Sequence, residues 1–453
     1  MRLFELVSSV ILARFLVPKV FGVVSIVLFI RNGIDVFTKT SFKAALIYRK
    51  EDIEESADTA WVLNAARGVV LAVAVFLFAP LIAGFYREPV LGPAIRLMSV
   101  VFVLDGFSNV NMVRFDKSLD FKKIAISRIF GSFFYSVLVV SLAFAMKNLW
   151  ALLIGIVFNS VYDFGISYVL PKKRPRAFFD RKIARELFRY SKFITGSGIL
   201  VYLTTRGDDA VIGKLLSLEQ LGYYTYAYAV ANLPATHLTG VFSELIFPSY
   251  SAINDDIPKL GQAFLAVYKL VAYVAFPVGV LLAVFSREII VLVLGPGWEP
   301  AVTPLRILIV FGVIRSLAAT TGPLFKAVGK PDVIFWIVLV KLVFMLAIII
   351  PLTRLYGLAG ASLAVTLPMV VEQFYLWSIL KRLIAVPAGK IYRQLLLPAA
   401  SSLIAGAAMM VWKLNFPVDR VFTLALLILC AFLIYGGASW AFDKKYFQGL
   451  LRG

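Results

Sequence analysis

Residues 11–22 read Ile-Leu-Ala-Arg-Phe-Leu-Val-Pro-Lys-Val-Phe-Gly and residues 211–222 read Val-Ile-Gly-Lys-Leu-Leu-Ser-Leu-Glu-Gln-Leu-Gly, one hairpin written twice. In register, Arg14 matches Lys214, Leu16 matches Leu216 and Gly22 matches Gly222. In each copy a helix ends, a short polar turn follows, and a glycine opens the next helix. The echo resumes where Pro93-Ala-Ile-Arg96-Leu-Met matches Thr303-Pro-Leu-Arg306-Ile-Leu. Both copies run in the same direction because an even number of spans separates them, the pattern of a duplicated membrane carrier.

Composition agrees. A chain of 453 residues that is 60% hydrophobic and 16% charged is too apolar for a soluble multi-domain protein and holds many runs long enough to cross a bilayer. It reads as an all-α polytopic membrane protein. The net charge of +20 belongs to membrane topology and anionic lipid surfaces rather than to nucleic acid. One cysteine, Cys430, excludes an intrachain disulfide, and with a single histidine no structural metal or haem site is expected. No cleavable signal sequence is evident, so the first span acts as the insertion signal. That span is short and carries Glu5 and Arg14, as if the chain began partway into its helix.

Apolar windows of about 20 residues place spans near 2–17, 20–38, 60–86, 92–112, 123–146 and 149–170. A second group lies near 193–214, 221–249, 260–285, 301–325, 333–353, 357–379, 392–412 and 421–441. The expectation is therefore about fourteen helices: an N-terminal lobe over 1–170, a basic linker over 171–192, a C-terminal lobe over 193–385, and a terminal pair with its tail over 386–453. With the N-terminus inside, 28 Lys and Arg fall in cytoplasmic segments. The other side holds only Lys19, Arg87, Lys147, Lys214, Arg287, Arg354, Lys413 and Arg420. This asymmetry predicts both termini in the cytoplasm of a cell whose inner membrane the chain crosses repeatedly. Nine of the positive charges crowd into the linker, interleaved with Phe178, Phe179, Ile183, Leu187 and Phe188. The linker reads either as a topology-setting connection or as an interfacial helix on anionic headgroups.

Ten basic residues remain inside the spans. Each costs at least roughly 2.5–3.5 kcal/mol at a helix centre unless it meets a cavity, a partner or the interface. Arg96 and Arg306 lie near span starts, where long side chains snorkel. The other eight, Arg14, Arg31, Arg67, Arg128, Arg206, Lys269, Arg315 and Lys341, are candidates to line a cationic cavity. Guanidinium forks hold phosphate through paired charge-assisted hydrogen bonds, so such a cavity suits an anionic substrate. Spacing pairs Arg31 with Asp35 and Arg206 with Asp209 on their own helices. Carboxylates in spans that titrate as a cavity opens are candidates for coupling to a proton or sodium gradient: Asp35, Asp208, Asp209, Glu244 and Glu372. Asp208 and Asp209 also fit a structural network around a helix break at Gly207. His237 reads as an interhelical hydrogen-bond partner. Pro234, Pro248, Pro277, Pro323 and Pro368 are expected to kink their helices.

The stretch from Arg206-Gly-Asp-Asp to Tyr226-Ala227, followed by Leu233-Pro234, Phe247-Pro248-Ser-Tyr-Ser251 and Asp255-Asp256, resembles the polysaccharide transporter family, the Wzx-type flippases. These belong to the multidrug/oligosaccharidyl-lipid/polysaccharide exporter superfamily. Leu12-Ala-Arg-Phe-Leu, Phe21-Gly22, Leu294-Gly-Pro-Gly-Trp298 and Ala327-Val-Gly-Lys-Pro-Asp332 extend the likeness. Val17 and Ala252 depart from it, where the family often has Gly and Arg. The resemblance implies two six-helix lobes around a V-shaped central cavity and alternating access. It also implies flipping of a polyprenyl-(pyro)phosphate-linked oligosaccharide for surface polysaccharide synthesis, beside membrane lipids and polysaccharide polymerase machinery.

Two relatives in the same superfamily compete: a lipid II flippase, whose substrate shares the charged linkage, and a cation-coupled drug exporter. The exporter should have an acid-rich cavity, which ten basic against eight acidic span positions disfavour. A glycosyltransferase or polymerase would need an acidic catalytic loop or a large outer loop, and no cofactor motif is present. Gly322 through Pro331 has neither Walker A spacing nor its Ser/Thr. No enzymatic activity is expected. A scaffold without transport is the remaining alternative.

Overall fold

A computed structural model describes residues 2–38, 46, 53–118, 120–444, 446 and 448; side chains at 2, 3, 5, 6, 53, 121, 190–194, 197 and 237–245 lie outside the description. The described residues form helices and turns, with no β-strand among them. Nine of these helices are long and apolar enough to cross a bilayer, and the bent pair Leu91–Phe107 with Val110–Lys117 brings the number to ten. The fourteen expected intervals fall on helix, but length and composition alone identify fewer crossings because some helices are short, one is merged and the helix over 181–215 is too polar.

The chain divides into two compact units, Met1–Gly222 and Tyr223–Gly453. This boundary differs from the lobe boundary expected at the basic linker, because the helix that follows the linker packs inside the first unit.

In the first unit, α1 (Arg2–Phe15) and α2 (Pro18–Thr38) form the first hairpin, with Pro18 at a position where its missing N–H costs nothing. Then come α3 (Ile53–Tyr86), α4 (Leu91–Phe107), α5 (Phe121–Met146), α6 (Leu149–Val169) and α7 (Arg181–Leu215). The turn from α5 to α6 takes two residues: Lys147 turns left-handed at φ 49°, and Asn148 caps α6 by accepting the Trp150 N–H. α1 packs on α5, α3 on α4, and α2 on α7. The second copy of the hairpin, from α7 into α8 (Leu218–Ala231), crosses the first at its glycines. A Cβ on Gly22 would fall 1.6 Å from the Leu218 carbonyl oxygen, so the repeated glycine is where the repeats touch.

Of the linker, residues 171–180 are not helical, whereas 181–192 open the next helix, α7. The non-helical part forms a strap across the start of α3: Lys173 pairs with Glu54, the Arg176 N–H donates to Asp58 at 2.9 Å, and the Asp180 N–H donates to Thr59 Oγ1 at 3.2 Å. Asp180 then caps α7, accepting the N–H groups of Lys182 and Ile183 at 2.7 and 2.9 Å. Ile183 and Leu187 pack with Leu46, Ala60 and Val113. α7 continues helical through Gly207, so the helix break expected there is absent. The adjoining positions keep helical hydrogen bonds, and glycine alone does not end a helix whose flanks are packed.

In the second unit, the single span expected over 221–249 is two helices, α8 and α9 (Leu233–Ser251), parted at Asn232 just before Pro234. α10 (Ile257–Val284) is capped by Asp256. A turn with π-helical and 3-10 character over 289–301 buries Trp298 against Tyr223 and Tyr226. α11 (Val302–Ala318) and the short α12 (Thr321–Ala327) follow. α13 (Pro331–Ile384) would be about 80 Å long if straight. It folds back at Gly357, whose φ of 57° and ψ of −133° suit a residue with no Cβ, and so supplies both arms expected at 333–353 and 357–379. α14 (Ala388–Asn415) packs on α10 and on α15 (Val421–Phe442).

Candidate functional site

Arg31 and Asp35 lie one turn apart on α2, the spacing at which a helix pairs its own charges. Each pairs instead with another helix. Arg31 Nη2 donates to Asp105 on α4 at 3.0 Å, and Asp35 accepts Arg67 from α3. Arg67 also donates through Nε and Nη2 to Thr38 Oγ1 at 3.0 and 2.9 Å. The local expectation fails because α3 and α4 cross bare. A Cβ on Gly68 would meet the Phe102 carbonyl oxygen at 2.5 Å, and one on Gly106 the Asn64 oxygen at 2.8 Å. Arg67 and Asp105 each precede one of these glycines, and the close crossing presents both to α2. Pairing spares each charge most of the cost of standing alone in hydrocarbon.

Beside Arg31 opens a cavity of about 370 Å³ between α1, α2, α5 and α6. Its polar wall is Ser8, Ser9, Arg31, Ser132, Tyr135 and Asn159, and Leu12, Leu28 and Ile156 complete it. Arg31 Nε is buried and finds no hydrogen-bond partner among the described residues. Asn159 donates to Asp163 at 3.3 Å, and Asp163 feels the charges of Asp105, Arg128 and Arg31. Arg128 itself is exposed on α5, and Arg14 is exposed on the last turn of α1.

On α7 the expected pairing holds: Arg206 Nη1 lies 3.5 Å from Asp209 Oδ2, with the arginine half exposed and the aspartate buried. Asp208 is buried beside it.

The second unit disperses its candidates. Lys341 on the first arm of α13 pairs at 3.1 Å with Glu372 on the second. Arg315 donates to the Tyr228 hydroxyl at 2.7 Å and lies over the Phe311 ring. Lys269 is held by Asp443, which also accepts the Tyr273 hydroxyl at 2.7 Å, and it lies 4.3 Å from the centroid of the Tyr446 ring. Lys269 is thus occupied by the segment after the last helix, a partner the sequence reading did not consider. Glu244 and His237 lie on α9 with side chains outside the described set.

Arg31, Arg67, Arg206, Lys269 and Lys341 each carry a carboxylate partner. The interior left net positive by the sequence count is largely compensated. Sequence reasoning overlooked the serines, Tyr135 and Asn159. Their signal is a set of polar side chains in otherwise apolar helices, with Asn159 one turn from Asp163.

The family described as polysaccharide biosynthesis protein matches residues 11–303. The chain is 28% identical over 396 residues to the lipopolysaccharide biosynthesis protein WzxC of Escherichia coli K12, covering 86% of this chain and 80% of that protein. It is 28% identical to the teichuronic acid biosynthesis protein TuaB of Bacillus subtilis over 65% of this chain and 62% of the relative. Among solved structures, the fold matches the lipid II flippase MurJ in its inward closed conformation with a TM-score of 0.82 at 16% identity, over 98% of this chain and 97% of the other. An inward-facing multidrug transporter of the MATE family in the MOP superfamily matches with a TM-score of 0.67 at 17% identity, over 85% and 96%.

Proposed function

This chain belongs to the polysaccharide biosynthesis protein family, and from that premise we propose that it flips a polyprenyl-(pyro)phosphate-linked oligosaccharide across the cytoplasmic membrane by alternating access. The observation that carries this reading is the likeness, along most of the chain, to WzxC, a protein named for lipopolysaccharide biosynthesis. The fold held in common with MurJ and the MATE transporter supports a carrier. Both termini stand in the cytoplasm in this reading, as the distribution of Lys and Arg favours.

The interior chemistry fits a large amphiphile with a polar end. Arginines such as Arg31 and Arg67, held in place by carboxylates, keep N–H donors inside the membrane where the carried group passes. Compensation keeps those donors without a net charge that hydrocarbon would penalise. Buried Asp208, Asp209 and Glu372 are the carboxylates through which a proton or sodium gradient would act.

The test is reconstitution in liposomes with a fluorescent polyprenyl-pyrophosphate-linked oligosaccharide, measuring transbilayer movement with and without ion gradients. Movement that requires the protein and weakens in Arg31→Gln and Arg67→Gln supports the reading. Movement of lipid II alone would make the chain a peptidoglycan precursor flippase. Efflux of a cationic dye with no lipid movement would make it a drug exporter. Transport indifferent to both gradients would remove the coupling role from the carboxylates.

A further inference from the structure

We infer that the cavity between α1, α2, α5 and α6 is a subsite for an uncharged, hydroxyl-bearing ring, the sugar end of the carried lipid rather than its phosphate. Assigning that ring to the carried lipid rests on the transport function proposed above; the chemistry of the cavity does not.

Charge decides against phosphate. The one cation in the wall, Arg31, already has Asp105 at 3.0 Å, and the neighbouring Asn159 leads to a second carboxylate, Asp163. A phosphate brought here would meet two guanidinia, Arg31 and Arg128, whose charge Asp105 and Asp163 already balance. With no positive charge left over, the cavity offers an anion little to offset its desolvation. A neutral group meets no such penalty.

Hydrogen-bonding capacity favours a polyol. The wall offers hydroxyls from Ser8, Ser9, Ser132 and Tyr135, the Asn159 carboxamide and the Arg31 Nε. A hydroxyl has one proton to give and two lone pairs, so a serine that already has one partner can still serve a second. The amide carbonyl of Asn159 accepts while its nitrogen serves Asp163. Arg31 Nε is a buried donor with no partner among the described residues, an atom whose desolvation is repaid when a ligand oxygen arrives. A sugar ring presents hydroxyls that both donate and accept, as these groups require.

Shape agrees as well. Sugars have apolar faces of C–H groups, and Leu12, Leu28, Ile156 and the Tyr135 ring give the cavity apolar surface beside its donors. A volume of about 370 Å³ is at the small end of ligand sites and suits a ring rather than a long chain.

The test uses the full chain in detergent with Cys430→Ser as background and Ser132→Cys as reporter, following the rate of maleimide modification at position 132. The probes are a panel of methyl glycosides of hexoses and N-acetylhexosamines and, separately, inorganic pyrophosphate. The expected result is that at least one glycoside slows labelling about tenfold at about nine times its Kd, that pyrophosphate does not, and that Asn159→Leu abolishes the protection. Protection by pyrophosphate alone, or by no probe, overturns the subsite. In liposomes, Asn159→Leu in the otherwise natural chain is expected to shift the preference between carriers bearing different first sugars. Equal loss for all carriers overturns its specificity role. Failure of the natural chain to move any lipid-linked oligosaccharide, with glycoside protection intact, would refute the transport function and leave the sugar site standing.

Discussion

Gly22 and Gly222 cross with no room for a side chain on either. A Cβ on Gly22 would lie 1.6 Å from the Leu218 carbonyl oxygen, and one on Gly222 would lie 2.0 Å from that of Pro18. Both obstacles are backbone, which cannot rotate aside as a side chain would. Gly22→Ala and Gly222→Ala should each cost about 1–3 kcal/mol or more through overpacking. Because they disturb one contact, the double substitution should cost less than the sum. Thermal midpoints of the purified protein check this; alanine at either position with an unchanged midpoint would rule out the crossing.

Lys341 and Glu372 tie the two arms of α13, and the Glu372 side chain is only 6% exposed. Lys341→Met leaves that carboxylate buried and unpaired, a loss of about 3–5 kcal/mol. Lys341→Met with Glu372→Met removes both charges and should recover most of it. Comparing the two single variants and the double by thermal denaturation measures the coupling. If the double is no better than Lys341→Met, the pair does not form.

Gly357 makes the turn of α13 with nothing within 4 Å of where a Cβ would stand. Gly357→Ala therefore meets no clash, and its cost should be conformational alone, about 1–3 kcal/mol. A larger residue there, such as leucine, should cost about the same as alanine. A steep increase with side-chain size would show that packing rather than backbone conformation governs the site.

Lys269 holds Asp443 and covers Tyr446, so its charge secures the segment beyond α15. Lys269→Met and Asp443→Asn should both raise the rate at which a protease clips this segment, by the same factor, and together no further. A Lys269→Met variant that loses transport while keeping wild-type resistance to the protease would return the lysine to a substrate role.

The helices were legible because an apolar run long enough to span a bilayer is a property of contiguous residues. The doubled hairpin was legible for a related reason: two copies of one short sequence needed only each other for comparison. Partner choice was not. Arg31 has Asp35 at helical spacing and ignores it, because Gly68 and Gly106 let α3 and α4 close together and bring a better-placed acid from 74 residues away. Lys269 likewise finds Asp443 far along the chain. The cavity beside Arg31 draws residues from four helices, and no pair of them except Ser8 and Ser9 is adjacent in sequence.

The unbroken run of α7 fixes something no single residue in it does. Its first turn is held to α3 by the strap and the Asp180 cap, and a Cβ on Gly213 near its last turn would stand 2.8 Å from the Ile26 side chain of α2. Adding one amino acid between these anchors would rotate everything beyond it by about 100°, swinging Asp208 and Asp209 off their buried face. The stretch from 181 to 213 can therefore exchange letters but not gain or lose one, so among homologous chains its length should be constant even where its composition drifts.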